Sequence, residues 1–343
     1  MEKMRNIPSS ELVKEIKTGW SLGNTLEAVG AKGLDCEMWW GNPVTTKEMI
    51  TAVINEGFNV VRIPVTWANH LDENGSVDER WINRVQEVVD YAYSQGTFVI
   101  LNCHHENWCE PYYENEEPAV RKLTSIWTQI GNRFSEYGER LIFEGLNEPR
   151  KRHTPLEWNG GDAEGHEVVN RMNAAFVSVV RSLGGNNSLR HLMIPTYAAS
   201  TEVSAIEGFV LPENDDKLIV SIHAYLPYEF ALGDDPEKKH FSASEDDSIK
   251  WFMQALKTNF ADKGIPVMIG EFGARDKDNI RDRTEWTEYY VSMARKIGIP
   301  CILFDNGYFE GKGERLGLLD RKTCTWRFPE IVQAAIKAAE DRF

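Results

Sequence analysis

Short apolar runs that follow helical patterns recur along the chain. In six places a glycine precedes the run by a few residues, as Gly57 does before 60–63 and Gly96 does before 98–101. Glycine readily adopts the left-handed conformation that ends a helix, so each unit predicts a helix, a stop and a buried strand. Two further runs, 19–25 and 218–222, bring the number of predicted strands to eight.

The segments between these runs carry apolar residues at helical spacing. One predicted helical face contains Trp81, Val85, Val88, Val89 and Ala92, and another contains Leu123, Trp127, Ile130 and Phe134. Alternating strands and helices favour a parallel sheet with right-handed crossovers, and eight such units can close it. We therefore predict one α/β domain over 1–343, a (β/α)8 TIM barrel. Its strands are expected near 19–25, 59–66, 98–104, 141–147, 191–197, 218–224, 266–271 and 300–305.

The connections that leave the predicted strands are long, as at 27–45, 150–162, 226–247 and 308–327, whereas those that enter strands are short. In barrels of this class, the loops after the strands build the active face. The residues that close each apolar run are accordingly the candidates for function.

Composition narrows the range of partners. The formal net charge is −15 and no run of Lys and Arg interrupts it, which disfavours nucleic acid and anionic membrane surfaces. No stretch approaches the roughly 20 apolar residues of a membrane helix, so we expect a soluble protein. The 11 Trp and 11 Tyr residues offer flat faces that suit sugar rings, although large proteins also bury such residues in their cores. Five cysteines without dense spacing predict free thiols.

The residues at the ends of the predicted strands are unusually polar. They include Asn24, Arg62, His104, His105, Asn147, Glu148, His223, Tyr225, Glu271, Asp305 and Asn306. Two of them, Glu148 and Glu271, interrupt segments that otherwise favour burial, which is costly unless the site uses the charge. Strands four and seven are far enough apart around a barrel for these carboxylates to face one another across its mouth.

A facing pair of carboxylates can hydrolyse a glycosidic bond. A separation of about 5–5.5 Å permits direct attack on the anomeric carbon, whereas about 6.5–9.5 Å admits a water molecule. The sequence leaves this distance open. It also leaves structural alternatives: a helix-start acid for Glu148, a salt-bridged rim residue for Glu271, and a rim salt bridge for Arg62 in place of a bond to the nucleophile.

The stretch around His104, His105 and Glu106, with Cys103 and Cys109 nearby, has metal-binding residue types. Successive residues at a strand end point to opposite faces and cannot all bind one ion. We therefore predict no metal site and take His104 as the inward residue.

The ordered series of motifs resembles glycoside hydrolase family 5 of clan A. The motifs are 61–64 (VRIP), 102–105 (NCHH), 147–149 (NEP), 221–225 (SIHAY), 271–273 (EFG) and 305–307 (DNG), and the opening segments 19–24 (GWSLGN) and 40–43 (WGNP) resemble subfamily 4. The similarity covers about 19–329. It implies a retaining double-displacement mechanism without a cofactor.

Residue roles follow from the same resemblance. Glu148 would be the acid/base and Glu271 the nucleophile, while Asn147 would bind the sugar 2-hydroxyl. Arg62 and Tyr225 would position Glu271, and His104 and His223 would complete the shell around the cleaved sugar. The substrate-binding residues that we predict are Asn24, Trp40, His105, Trp108, Tyr197, Phe304 and Asn306, with Trp158 and Tyr228 as further candidate sugar platforms.

One position departs from the family pattern, because Phe304 stands where a Trp usually forms the aromatic floor for the sugar. Phenylalanine stacks with less area and has no indole N–H, so we expect altered binding rather than loss of catalysis. We also expect the pKa of Glu148 to be raised by the charge of Glu271 and by partial burial, while Arg62 and Tyr225 keep Glu271 ionised.

The function predicted from the sequence is that of a retaining endo-β-1,4-glucanase acting on internal bonds of cellulose-type or mixed-linkage glucans. Three alternatives stay open: the same chemistry on xyloglucan, xylan or mannan, a metal-dependent barrel hydrolase, and a carbohydrate-binding barrel without catalysis. The expected partner is a β-glucan polysaccharide or oligosaccharide, with no nucleic acid and no membrane. Residues 1–10 show no signal peptide, but the size of the polymer favours secretion over a cytoplasmic location.

Overall fold

Parallel strands closed into a barrel organise residues 3–340, the part of the chain that the computed structural model describes. Each strand pairs with the next one along the chain, and the last pairs with the first. The eight barrel strands of this described part are β1 (Thr18–Leu22), β2 (Val60–Ile63), β3 (Phe98–Asn102), β4 (Leu141–Glu144), β5 (Leu192–Pro195), β6 (Leu218–His223), β7 (Val267–Phe272) and β8 (Cys301–Asp305). The predicted (β/α)8 fold class is confirmed. The ends of the predicted domain, 1–2 and 341–343, lie outside the described residues.

Helices cover the outside of the barrel. The α-helices are α1 (Ser9–Leu12), α2 (Lys47–Glu56), α3 (Glu79–Tyr93), α4 (Tyr113–Arg133), α5 (Ala163–Ser182), α6 (Val203–Glu207), α7 (Tyr228–Ala231), α8 (Ser248–Asn259), α9 (Ile280–Lys296) and α10 (Pro329–Glu340). Short 3-10 helices span Val13–Glu15, Gly33–Met38, Ala68–His70, Gly185–Ser188, Tyr197–Ala199 and Ala261–Lys263. Strands β9 (Leu319–Asp320) and β10 (Thr325–Trp326) pair antiparallel after β8. None of the helices in the described residues is long and apolar enough to cross a membrane.

Local sequence signals explain how the helices begin and end. Asp162 precedes α5 and its side chain accepts the N–H of Gly165 at 2.8 Å, while Thr46 caps α2 through the N–H of Met49. Such caps satisfy amide groups that the first helical turn leaves without partners. Helix α2 stops at Gly57, whose φ of 125° is outside the range that other residues adopt readily.

Side-chain alternation divides each barrel strand into an outward and an inward set. Outward apolar residues such as Val61, Val99 and Phe143 belong to the large core shared with the helices. Inward residues form a separate cluster, which we call the lower interior: Val60, Phe98, Ile100, Ile142, Met193, Ile219, Met268 and Ile302. Leu12, Val13 and Ile16 from the N-terminal segment pack into the same cluster, so apolar side chains close the lower end of the barrel.

Polar residues occupy the inward positions one step above the lower interior. The spacing of two residues along a strand leads from Val60 to Arg62, from Ile100 to Asn102, from Ile142 to Glu144, and from Ile219 to Ser221 and on to His223. All of these polar residues are buried. We call Arg62, Asn102, Glu144, Ser221, His223 and Glu271 the upper interior. It lies at the carboxyl ends of the strands, where the long loops begin.

Candidate active site

The two predicted carboxylates meet above the barrel. One oxygen of Glu148 and one of Glu271 lie within 4.8 Å of each other. Nδ1 of His223 lies 2.8 Å from Oε1 of Glu148 and 3.8 Å from Oε2 of Glu271. The Glu148 side chain is 15% exposed and that of Glu271 is 6% exposed. Oxygens this close lie well below the separation of about 6.5–9.5 Å that admits a water molecule between the two groups, so the spacing favours direct attack by a carboxylate.

A local irregularity in β7 directs Glu271 into the barrel. Strict alternation from the inward Met268 would bring Gly270 inward and leave Glu271 facing the helices. The β6–β7 register instead shifts by one residue, so that Ile222 pairs with Ile269 and His223 with Glu271. A side chain at Gly270 would approach the ring of His223 and the hydroxyl of Ser221 to 3.0 Å. The bulge and the missing side chain together place Glu271 next to His223.

Glu271 is held by groups from three strands or their loops. Arg62 donates from Nη1 to its Oε1 at 2.6 Å, and the Tyr225 hydroxyl donates to its Oε2 at 2.9 Å. His104 Nε2 lies 3.9 Å from Oε1, and burial holds the pKa of His104 well below its usual value, so this ring is neutral. A fully buried cation and a hydroxyl donor, one on each oxygen, orient this carboxylate.

Arg62 is the centre of a buried network that the sequence did not fully predict. Its Nε donates to Glu144 at 2.8 Å and its Nη2 donates to Asn147 at 2.7 Å. Glu144 also accepts from Ser221 at 2.6 Å and from Asn102 at 3.1 Å. Burial raises the pKa of Glu144, but the charge of Arg62 and the neighbouring His223 outweigh it and lower this pKa to about 2.

The missed members of this network, Glu144, Asn102 and Ser221, lie within strands and not in the loops after them. The sequence does contain a signal for them, because each lies two residues beyond an apolar residue that faces inward. The network fixes the guanidinium of Arg62 so that its third contact points at Glu271, which a rim salt bridge would not require.

Glu148 has a different environment from Glu271. Its Oε1 lies 2.8 Å from Nδ1 of His223, and its Oε2 lies 3.4 Å from Nη1 of Arg150. Burial raises the pKa of Glu148, but the hydrogen bond and charge of His223, with the charge of Arg150, lower it overall. The expected raised pKa is therefore wrong for the free protein, because that expectation included Glu271 and burial but neither His223 nor Arg150.

The pKa of His223 is shifted in the opposite direction. Burial lowers it, but the charge of Glu271 and the contacts with Glu144 and Glu148 raise it to about 9. His223 and Glu148 thus form a coupled pair that shares a proton across one hydrogen bond.

Glu148, His223 and Glu271 also offer three potential ligand atoms within 4.8 Å of one another. Their lone pairs are already directed at protein donors, and the buried Arg62 cation contacts Glu271 at 2.6 Å. A second cation at this point would meet electrostatic repulsion. The geometry thus suits an acid/base pair better than a metal centre.

Aromatic residues from the predicted substrate-binding set border the carboxylates. The rings of Trp40 and the exposed His105 meet edge to face at 5.4 Å, and His105 meets His104 at 4.5 Å. The indole N–H of Trp108 donates to Glu106 at 2.6 Å, and the same carboxylate accepts the backbone N–H of Trp67. Glu106 therefore orients Trp108 and is not a metal ligand.

Phe304 and Asn24 lie at the β1–β8 side of the mouth. The Phe304 ring is half-buried and packs so closely on Gly23 that a side chain there would approach it to 2.6 Å. Asn24 is half-buried, has a φ of 60°, and its carbonyl accepts from Asn42 at 2.9 Å. Trp158 and Tyr228 remain candidate platforms, with 57% and 60% of each residue exposed.

Two predicted substrate-binding residues are corrected by the structure. Tyr197 is only 2% exposed: its ring packs on Gly161 and Gly165, and its hydroxyl donates to the carbonyl of Leu156. A platform needs an open face, so Tyr197 has a structural role in the loop after β4. The Asn306 side chain is likewise engaged within its own loop, by the carbonyl of Glu314 and the N–H of Tyr308.

The cysteines behave as predicted. All five lie in the described residues and are free thiols, and four of them are buried. Burial raises the pKa of Cys109 to about 12, so this thiol beside the candidate site is not a nucleophile at neutral pH.

Comparisons with known proteins agree with this geometry. The family model for cellulase (glycosyl hydrolase family 5) matches residues 23–310. An endoglucanase B from Neocallimastix patriciarum is 48% identical over 97% of this chain and 72% of its own length. An endoglucanase A from Ruminococcus albus is also 48% identical, over 98% of this chain and 94% of its own length.

Solved structures show the same architecture. A GH5-4 broad specificity endoglucanase from Ruminococcus champanellensis with bound cellotriose superposes with a TM-score of 0.95 at 45% identity, over 98% of this chain and all of the other. A family 5 lichenase from Caldicellulosiruptor sp. F32 in complex with cellotetraose gives a TM-score of 0.93 at 42% identity, over 99% of this chain and 97% of the other.

Proposed function

The chain belongs to glycoside hydrolase family 5, and from this premise we propose that Glu271 is the nucleophile and Glu148 the acid/base of a retaining endo-β-glucanase. The activity is hydrolysis of internal β-1,4-glucosidic bonds with retention. The relatives that match nearly the whole of this chain are endoglucanases. The observation that carries the assignment of roles is the pair of carboxylate oxygens within 4.8 Å.

In the first step Glu271 attacks the anomeric carbon and the bond to the leaving sugar breaks. Arg62 and Tyr225 hold the attacking carboxylate in place, because their hydrogen bonds occupy both of its oxygens. Glu148 donates a proton to the leaving oxygen, and the protonated ring of His223 supplies that proton to Glu148 across their hydrogen bond. Asn147, fixed by Arg62, is the candidate for the sugar 2-hydroxyl.

In the second step water replaces Glu271 on the sugar. The ester has no negative charge, so the carboxylate of Glu148 loses its like-charged neighbour and becomes a better-stabilised anion beside His223. It can then accept the proton of the attacking water. The two steps thus use one carboxylate as nucleophile and the other alternately as acid and base.

We infer a broad preference for glucans with β-1,4 bonds, including mixed-linkage chains. Relatives described as broad specificity endoglucanases and as lichenases share 42–45% identity with this chain. The half-buried Phe304 offers a smaller aromatic floor than tryptophan, which favours weaker binding of the sugar at the cleavage point. A polymeric substrate would be met outside the cell, so we propose secretion.

The test is product analysis on barley glucan, carboxymethylcellulose, xyloglucan, xylan and mannan, with Glu271→Gln as the matched control. We expect rapid loss of viscosity on the two glucans and a loss of at least about 10⁴-fold in turnover for the variant. Near-normal turnover of purified Glu271→Gln protein would show that the nucleophile is another residue. Preferential cleavage of mannan or xylan would contradict the proposed glucan specificity but not the proposed mechanism.

A further inference from the structure

The guanidinium of Arg150 contacts Glu148, but the proposed mechanism gives this residue no role. It follows Glu148 by two residues on the loop after β4. Its Nη1 donates to the carbonyl of Glu148 at 3.0 Å and lies 3.4 Å from the Oε2 of the same residue. Its Nε donates to Glu157 at 3.1 Å, and its Cζ lies over the ring of Trp158, 4.1 Å from the ring centre.

These contacts distinguish Arg150 from a rim salt bridge. Its side chain is only 18% exposed, and a carboxylate, a carbonyl and an indole fix it from different sides. The loop itself is anchored, because the buried Lys151 pairs with Asp162 at 2.8 Å and with Glu164 at 2.6 Å. An arginine held in this way interacts with Glu148 without first losing much conformational freedom.

The two oxygens of Glu148 therefore each face a cationic side chain. His223 faces Oε1 from β6, and Arg150 faces Oε2 from the loop after β4. The other titratable groups that interact with Glu148 across the site are His105 after β3, Tyr225 after β6, Glu271 on β7 and Glu314 after β8. Of these, the two carboxylates oppose ionisation of Glu148, and one of them is neutralised when the glycosyl ester forms.

We propose that Arg150 is a positioning residue that orients the Oε2 of Glu148 and stabilises its ionised form, so that Glu148 acts readily as the base in the second step. This inference rests on the proposed function of Glu148. It assigns Trp158, which stacks on Arg150, and Glu157, which pairs with it, to holding the guanidinium against Glu148. The contact of Arg150 with Glu148 carries it, and the low pKa of Glu148 agrees with it.

The experiment is the pH profile of kcat/KM for cellotetraose, from pH 4 to 9, for the full chain and for Arg150→Gln. The basic limb reports the loss of the proton that Glu148 and His223 share in the free enzyme. Removing the nearby positive charge should move this limb upward by roughly one pH unit. The acidic limb should move much less, because the substitution leaves the contacts of Arg62 and Tyr225 with Glu271 unchanged.

Two further variants make the result specific. Arg150→Lys keeps the charge and should leave the basic limb near that of the parent protein. Arg152→Gln removes a charge from the same loop, but this guanidinium donates to the carbonyl of Glu106 and should not move the limb. A circular dichroism melt of each variant confirms that the proteins are folded.

An unchanged basic limb in folded Arg150→Gln protein would overturn the proposal, as would equal shifts in Arg150→Gln and Arg152→Gln. Failure of the proposed function gives a different result. If Glu148→Ala hydrolysed cellotetraose as well as the parent protein does, the acid/base assignment itself would be wrong. If hydrolysis required Glu148 but the basic limb did not respond to Arg150→Gln, the role of Arg150 would be wrong and the acid/base assignment would stand.

Discussion

The lower and upper interiors of the barrel are built on the same strands but from opposite kinds of residue. The lower interior is apolar, and Leu12, Val13 and Ile16 close it from below. Nearer the carboxyl ends of four of these strands, the upper interior contains an arginine, two glutamates and a histidine, all nearly or fully removed from water. One half of the interior stabilises the barrel by burying apolar surface, whereas the other half uses that stable frame to hold charges in place.

The contrast shows how a charged site can survive burial. Every charge of the upper interior has an opposite partner at hydrogen-bond distance, as Arg62 has in Glu144 and Glu271. Taking these groups out of water is costly, and a well-packed apolar interior could be as stable or more stable. The network is therefore explained by positioning, and substitutions in the two halves should separate stability from activity.

The largest effect on stability is expected for Glu144→Gln. The substitution keeps the shape of the side chain but removes one of the two carboxylates that neutralise Arg62. We expect a loss of about 3–5 kcal/mol in unfolding free energy and a fall on the order of 100-fold in kcat/KM through misplacement of Glu271. Urea unfolding and initial rates on cellotetraose measure the two losses, and a variant with parental rates would remove Glu144 from the positioning network.

Its matched counterpart is Ile142→Ala, one inward step lower on the same strand. The cavity should cost about 2–5 kcal/mol of unfolding free energy, while kcat at a temperature where the variant is folded should stay within about twofold of the parent. Equal losses of turnover in the two variants would show that the halves of the interior are not functionally distinct.

The smallest expected effect is a pH dependence of stability, which arises from a histidine at the lower end of the barrel. His191 is fully buried, its Nδ1 lies 2.8 Å from the Ser9 hydroxyl, and burial lowers its pKa to about 3. Because the folded pKa is below that of the unfolded chain, stability is lost as pH falls below about 6.5. His223 in the upper interior has a raised pKa of about 9, so its contribution is lost instead as pH rises through that value.

His191→Asn tests this difference. Between pH 7 and pH 5 the parent protein should lose about 1–2 kcal/mol more unfolding free energy than the variant does. Urea titrations at the two pH values give the comparison directly. Parallel losses in both proteins would mean that His191 is not the neutral, buried group described above.

The sequence predicted the barrel well because the alternation of glycine-terminated helices and apolar runs is a periodic signal. It also predicted Glu148, Glu271 and Arg62 as candidates, since polar residues at strand ends converge in this fold class. The structure brings these three together.

The remaining features depend on information that is not local in the sequence. Tyr197 and Asn306 lie after strands as other candidates do, but the paths of their loops turn them into packing residues. The inward direction of Glu271 depends on a bulge in β7, and the lowered pKa of Glu148 depends on its distances from His223 and Arg150. Neither a register shift nor a distance between loops can be derived from residue types alone.

The most direct test of the account is to trap the covalent intermediate. A 2-deoxy-2-fluoro cellobioside with a dinitrophenyl leaving group should inactivate the enzyme. The fluorine slows both steps, but the activated leaving group speeds the first, so the glycosyl ester accumulates. Digestion and mass spectrometry should then find a fluorocellobiosyl ester on the peptide that contains Glu271, at the side chain itself. An ester on Glu148 or on any other residue, or turnover of native substrates with inversion, would contradict the mechanism.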